Sequence, residues 1–458
     1  MAGIGFQLRK ILGKGGLGGT VGAVVSGVFI VAGPWLISVV SMIALQFAFR
    51  TSSFSGVPVF QSTVVYGYAC SLALFSGLHH HFTRIVSDLV WESRYGEATA
   101  WMLRFALIAL ASSVLLSAPV ATAMPLRLAG DAALYRFSVV ALFCAINVAW
   151  IVMLYVSLLR NYKVISLVFG LGMALSIAGA LVLSAVLGEG GAVLGYASGV
   201  VLLDLAFIAI AVSRYRPERP RDGFADFWRY GKRYAALIAS GFCFYAGGWL
   251  DKFYFWAARG AVVAGTPLRS YESYDVAVYV AGLSIIPGLV YFIIITETQL
   301  YTDLRHFLFA LNHSTWTRIH KARLRVATGL RRELRDQSLL QGACTLLLAS
   351  AILASREPAL ARVEMWAALG AAYAQFTLLT ILVFLYYFEL YREALLAALL
   401  YFAINGAGAV IAYGLLPWLP PGASHLAAGL CASAFGYATL KNRIYRMERI
   451  IFMRALRA

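Results

Sequence analysis

The sequence predicts an all-α polytopic membrane protein, with about twelve transmembrane helices in two parallel six-helix repeats around a central cavity. Three observations predict this class. Of 458 residues, 61% are hydrophobic and only 13% charged, about half the charged share (roughly 25%) of an ordinary soluble domain. The apolar residues gather into twelve runs, each about the 20 residues that a helix needs to cross a bilayer. Finally, an eleven-residue segment recurs 214 positions later, Ser26–Leu36 aligning with Ser240–Leu250. The two copies are identical at Ser26/Ser240, Gly27/Gly241, Ala32/Ala246, Gly33/Gly247, Trp35/Trp249 and Leu36/Leu250. Both copies lie in apolar runs that follow basic segments, which predicts two repeats entering the membrane in the same direction, as in many transporters.

In chain order the expected spans are 20–49, 58–82, 101–124, 134–158, 164–187, 192–213, 235–257, 277–300, 338–355, 364–388, 394–416 and 425–441. Turn and charge clusters separate them, such as Arg160-Asn-Tyr-Lys163, Gly188-Glu-Gly-Gly191, Ser355-Arg-Glu-Pro358 and Pro417-Trp-Leu-Pro-Pro-Gly422. Met1 to Gly19 reads as a basic, Gly-rich arm rather than a cleavable leader. With the N-terminus inside, 29 of the 38 Lys and Arg fall in inside segments, 7 in outside loops and 2, Arg104 and Lys252, in spans. That bias predicts cytoplasmic termini. It also explains the net charge of +17 without nucleic acid, because the basic residues alternate with apolar runs instead of forming one patch. The five cysteines all fall inside apolar runs, which argues against a disulfide framework or a metal site.

Two inside segments stand out. The Pro-rich basic linker at 214–233 divides an N-terminal six-helix bundle, 1–213, from a C-terminal one, 234–458. Within the latter, 317–336 has helical amphipathicity: Arg318, Lys321, Arg325, Arg332 and Arg335 share about a third of the circumference at 100° per residue. Ile319, Val326, Leu330 and Leu334 take a different face. This predicts a helix lying on the cytoplasmic surface, its cations either setting topology or docking anionic lipid or a partner.

The candidate substrate-path residues are Pro34, Trp35, Trp249, Asp251, Lys252 and Glu297. An Asp or Lys near mid-membrane costs about 2.5–3.5 kcal/mol on an insertion scale. Asp251 and Lys252 are neighbours, about 100° apart on a helix, so a continuous helix does not let them neutralise each other on one face. Asp251 then lines a cavity, or lies near the outer interface, where Lys252 would snorkel. Pro34 and Pro287 fall inside spans one and eight, where a proline kinks a helix and frees carbonyls, for a hydrated path or for packing alone. Trp35 and Trp249 are packing residues or platforms for sugar rings. Glu297 ends span eight beside Thr296, Thr298 and Gln299, near the cytoplasmic interface. His79-His80-His81 spreads over about 200° of a helix, so the three do not converge on one metal. No Gly-rich phosphate loop precedes a Lys-Ser/Thr, and no convincing carboxylate pair is present, so neither an enzyme nor a cofactor is expected.

Met1-Ala-Gly-Ile-Gly-Phe-Gln-Leu-Arg-Lys10, Gly33-Pro34-Trp35 and Trp249-Leu-Asp251-Lys252 together resemble the bacterial Pel exopolysaccharide inner-membrane transporter family, its G component. That family is similar to the multidrug/oligosaccharidyl-lipid/polysaccharide exporter superfamily. The resemblance covers the whole chain and implies two six-helix bundles, export of an N-acetylhexosamine-rich polymer, and residence in the bacterial inner membrane. It also implies partners: a cytoplasmic glycosyltransferase, a membrane cyclic-di-GMP receptor and a scaffold subunit. A cation-coupled exporter of small drugs on the same architecture, or a non-transporting scaffold for a synthase, remain alternative expectations.

Overall fold

The computed structural model describes residues 33–51, 54–128, 130–158, 162–221, 223–358, 360 and 362–445. Ser26 to Ala32 of the first repeat copy lie outside them. The described chain is almost wholly helical and separates into two compact units, Gly33–Glu272 and the residues from Ser273 onward. The division falls after span seven, and the basic linker lies within the first unit.

The first unit contains α1 (Gly33–Thr51), α2 (Val57–Trp91), α3 (Tyr95–Ala123), α4 (Ala132–Leu158) and α5 (Tyr162–Arg214). These are followed by α6 (Ala225–Arg233), α7 (Ala235–Gly247), α8 (Leu250–Arg259) and a short antiparallel pair, β1 (Ala261–Val262) with β2 (Arg269–Ser270). From Glu272 onward come α9 (Glu272–Leu283), α10 (Ile285–Tyr291), a π turn at Phe292–Thr296 and α11 (Glu297–His313). Then follow α12 (Trp316–Ser355), α13 (Val363–Tyr387), α14 (Tyr391–Leu415) and α15 (Ala423–Ile444). The expected spans all fall on these helices, the first on its described part, and eight described helices are long and apolar enough to cross a membrane. Such helices satisfy their own backbone groups in lipid, and they carry exposed apolar side chains such as Leu115, Val186, Leu346 and Leu347. The protein is a multi-pass membrane protein.

Spans five and six are the two halves of α5, which folds back at Gly188, whose φ of 64° and ψ of −143° suit a residue without Cβ. The two halves run antiparallel and touch along small residues. A Cβ on Gly179 would stand 2.6 Å from the Gly195 carbonyl oxygen, and one on Gly172 2.6 Å from Leu203 Cβ. A Cβ on Gly199 would come closer still to Ser176. Gly191, Gly195 and Gly199, four apart, therefore make one flat face on which the preceding helix lies, the small-residue packing of membrane helices.

The basic linker is strapped to the start of α3. Glu97, almost fully buried, accepts hydrogen bonds from Arg94 Nη2 at 2.7 Å and from the Arg221 backbone N–H at 3.0 Å. The Glu218 N–H donates to the Gly96 carbonyl at 3.0 Å, and Tyr215 stacks on Tyr95. Hydrogen bonding to Glu97, and then to Glu92, holds the Arg94 guanidinium above its ordinary range and so fully charged. Replacing Glu97 with Ala removes charge-assisted bonds whose cationic partners, Arg94 and Arg221, are partly solvated. The strap is then expected to open about tenfold more often, a change of about 1.4 kcal/mol, because the solvated cations temper the loss. Limited trypsin digestion of the folded protein checks this by the rate of cleavage after Arg214 and Arg221, since the bonds after Arg216 and Arg219 lead into proline and resist trypsin; an unchanged rate removes Glu97 as the anchor.

The segment 317–336 is not a separate surface helix. It is the first half of α12, which continues without a break into span nine. α11 likewise continues span eight, and only Ser314 and Thr315 join it to α12. The two form an antiparallel hairpin that extends beyond the apolar runs, with Phe307, Ala310, Ile319 and Val326 packed in its seam. The apolar face of α12 is thus covered by neighbouring helices: Ile319 and Val326 pack on α11, and Leu330 and Leu334 face Tyr437, Leu440 and Ile444 of α15. The periodicity located that face correctly, but amphipathicity does not tell a helix buried by a neighbour from one buried by lipid.

Candidate functional site

Span seven is broken where the repeat places Gly247-Gly248-Trp249. α7 ends at Gly247 and α8 starts at Leu250. Between them the Trp249 N–H donates to the Ala246 carbonyl at 2.9 Å, a tightened last turn. Asp251 and Lys252 therefore occupy the first turn of a new helix, and both are buried, 0% and 4% exposed. Lys252 Nζ donates to Asp251 Oδ1 at 3.2 Å and to the Gly248 carbonyl at 2.9 Å. The expectation that these neighbours do not neutralise each other is corrected here. The long lysine stem folds back over the tightened turn. Lys252 also turns inward rather than snorkelling.

The pair suits both helix ends. A carboxylate in the first turn of α8 complements the positive end of its dipole, and an ammonium on Gly248 satisfies a carbonyl left at the end of α7. Trp249 is half-buried and begins an aromatic cluster, with Phe253 at 6.1 Å and Trp256 at 6.2 Å between ring centroids. Trp256 stacks on Tyr66 of α2 at 4.4 Å, and Tyr66 Oη donates to the Arg269 carbonyl of β2 at 2.9 Å. The matched glycine Gly241 has a direct cause: a Cβ there would run into the His80 ring.

Pro34 and Trp35 lie in the first described turn of α1, and their side chains fall outside the described ones, as does that of Glu297, the first residue of α11. The Pro287 kink is placed by the structure. α9 ends at Leu283, and the Ser284 carbonyl beside the break accepts a hydrogen bond from Gln341 Nε2 of α12 at 3.0 Å. That carbonyl is satisfied by a buried side chain; the carbonyl that Pro287 itself frees, four residues back, is that of Leu283.

The five cations Arg318, Lys321, Arg325, Arg332 and Arg335 are all exposed on α12, opposite buried Ile319, Val326, Leu330 and Leu334. Arg335 Nη2 pairs with Asp336 at 2.8 Å. The three consecutive histidines fan out to three neighbours: His79 to Trp150 at 6.1 Å, His80 to Tyr245 at 6.2 Å and His81 to Phe227 at 4.5 Å. Beside them α6 is pinned to the end of α2, where Tyr230 Oη donates to Asp88 Oδ2 at 3.1 Å. Burial, and then the Asp88 charge, push the Tyr230 hydroxyl up to about 12.

One residue escaped the sequence reading. Asp204, 4% exposed, lies in the second half of α5, and its Oδ1 has no hydrogen-bond partner among the described residues. A carboxylate buried in a membrane helix is costly and by default a functional candidate. The signal was visible, as Asp204 is the sole charge in the run 192–213; tracking Lys and Arg for topology passed over it.

The sequence matches, over residues 1–452, the family described as "PelG: Putative exopolysaccharide Exporter (EPS-E)". The chain belongs to the PelG family. None of the curated proteins matches it. Among solved structures, a MOP superfamily transporter from Pyrococcus furiosus superposes with a TM-score of 0.56 at 13% identity, over 92% of this chain and 96% of that one. A MATE transporter in complex with MaD3S gives 0.59 at 13% identity over the same shares. The Vibrio cholerae MATE transporter VcmN in its bent form gives 0.54 at 10% identity, over 93% and 98%. At these identities the likeness establishes the fold alone. Fold and family together make this PelG-family chain a membrane transporter.

Proposed function

We propose that this PelG-family protein translocates a nascent, N-acetylhexosamine-rich exopolysaccharide across the bacterial inner membrane to the periplasm, with both termini cytoplasmic. The observation that carries this reading is the family match along nearly the whole chain, residues 1–452. Span seven adds support, because it tightens at Gly248-Trp249 just before the buried Asp251 and Lys252, and ionisable residues buried within spans mark substrate paths. In this reading Pro34, Trp35, Trp249, Asp251, Lys252 and Glu297 contribute to the polymer's path, the indoles facing sugar rings. The cationic face of α12 serves cytoplasmic partners: a glycosyltransferase that makes the polymer, and the membrane cyclic-di-GMP receptor and scaffold subunit of the same machinery.

The test is a clean deletion of the gene, with and without its return, in which hexosamine-rich polymer outside the cell is measured alongside partner abundance. Loss of extracellular polymer, restored by the gene while partner levels stay normal, is the expected result. Unchanged polymer overturns the exopolysaccharide reading and brings forward export of small molecules. Polymer that falls only because partner subunits disappear favours a scaffold.

A further inference from the structure

At the base of the α11–α12 hairpin, the two helices part around a polar cleft of about 510 Å³, within the usual size range of ligand sites. α11 presents Gln299, Thr302, Asp303 and His306 to it, a stripe at helical spacing, and α12 presents Arg325 and Arg332, two turns apart. The cleft lies where the apolar runs end: Gln299 is the second-last residue of span eight, and Arg332 precedes span nine by six residues. Gly329 of α12 lets the opposite wall come close, since a Cβ there would stand 2.9 Å from Asp303 Oδ2.

The walls differ in what they recognise. Two guanidiniums on one side offer forked donors that match phosphate oxygens. The other side offers a carboxylate that accepts only, an imidazole, an amide and a hydroxyl. A bare anion would satisfy the arginines and leave Asp303 facing negative charge. A phosphate ester that carries hydroxyls meets both walls, because its hydroxyls donate to Asp303 while its oxygens accept from Arg325 and Arg332.

From this we infer that the cleft is a binding site for a polyol phosphate, distinct from the path of the transported polymer. The same chemistry has two sources, the headgroup of phosphatidylglycerol and a soluble nucleotide sugar. The test uses the purified full-length protein in two arms. In one, native mass spectrometry measures retention of phosphatidylglycerol against phosphatidylcholine. In the other, the soluble probe is uridine diphosphate N-acetylglucosamine, followed by equilibrium binding. Each arm compares wild type, R325Q/R332Q, and R331Q/K441Q, which removes the same charge from two residues that lie together outside the cleft.

The site predicts at least about tenfold weaker binding in R325Q/R332Q, a difference of about 1.4 kcal/mol, with R331Q/K441Q near wild type. The arm that shows this pattern identifies the source. If R325Q/R332Q does not fold, R325K/R332K decides, since it keeps the charge and loses the fork; unchanged binding there counts against the site. D303N is expected to lose preference for phosphatidylglycerol over phosphatidic acid, which lacks the hydroxyls. Equal losses in the two charge-matched variants, or no binding in either arm, overturn the proposal.

Discussion

Replacing Lys252 alone with Met is expected to lower the thermal unfolding midpoint sharply, while the double variant D251N/K252M recovers most of the loss. Lys252 and Asp251 are 4% and 0% exposed and 3.2 Å apart, and the ammonium also serves the Gly248 carbonyl. Removing one partner of a buried pair leaves a desolvated charge and costs about 3–5 kcal/mol, whereas replacing both by neutral groups of similar volume is often close to neutral. D251N alone is the milder single change, because the lysine keeps Gly248. The measurement is fluorescence-detected size-exclusion after heating, on the wild type, both single variants and the double. Single effects that simply add, within about 0.5 kcal/mol, show that the pair is not coupled as its geometry requires. The same four proteins separate architecture from transport. If stability and polymer secretion return together in the double variant, the pair holds the helix break. If stability returns and secretion does not, the charges themselves serve the path.

The sequence placed the helices well because hydropathy reports what each segment gains in lipid, and that gain needs no knowledge of neighbours. It also separated the faces of α12, where Ile319, Val326, Leu330 and Leu334 are buried and the five cations exposed. What covers the apolar face was not legible, because a period of 3.6 residues is the same against lipid and against neighbouring helices. The break at Gly247-Gly248 was equally hidden. Two glycines in an apolar run fit a close helix contact as well as a helix end, and both occur here, Gly241 making the contact with His80 and Gly248 the turn. Once the break is known, the pairing of Asp251 with Lys252 follows from the reach of the lysine stem. Asp204 differs in kind: its position was readable, and only its burial and its unbonded Oδ1 required the structure.

Adding one methyl group at Gly195 is expected to cost the protein far more than adding the same group at Gly170 of the same helix. Nothing lies within 4 Å of the position a Gly170 Cβ would take, whereas a Cβ on Gly195 would run into the Gly179 backbone. At the open site, alanine in place of glycine is worth up to about 1 kcal/mol in helix propensity, so G170A is expected to be neutral or stabilising. At Gly195 that gain is set against backbone atoms, which cannot rotate away as a side-chain tip can. Overpacking of this kind costs about 1–3 kcal/mol, and more where neither helix can shift. The halves of α5 have little room to separate, since they are joined at Gly188 and held again at Gly199 against Ser176. G179A is expected to behave as G195A does, because it inserts a methyl into the same contact from the other side. Monodisperse yield and unfolding midpoint, measured for G170A, G179A and G195A, decide the matter by sign: one near or above wild type and two below. If G195A matches G170A, the two halves of α5 do not pack backbone to backbone, and the turn at Gly188 alone sets their geometry.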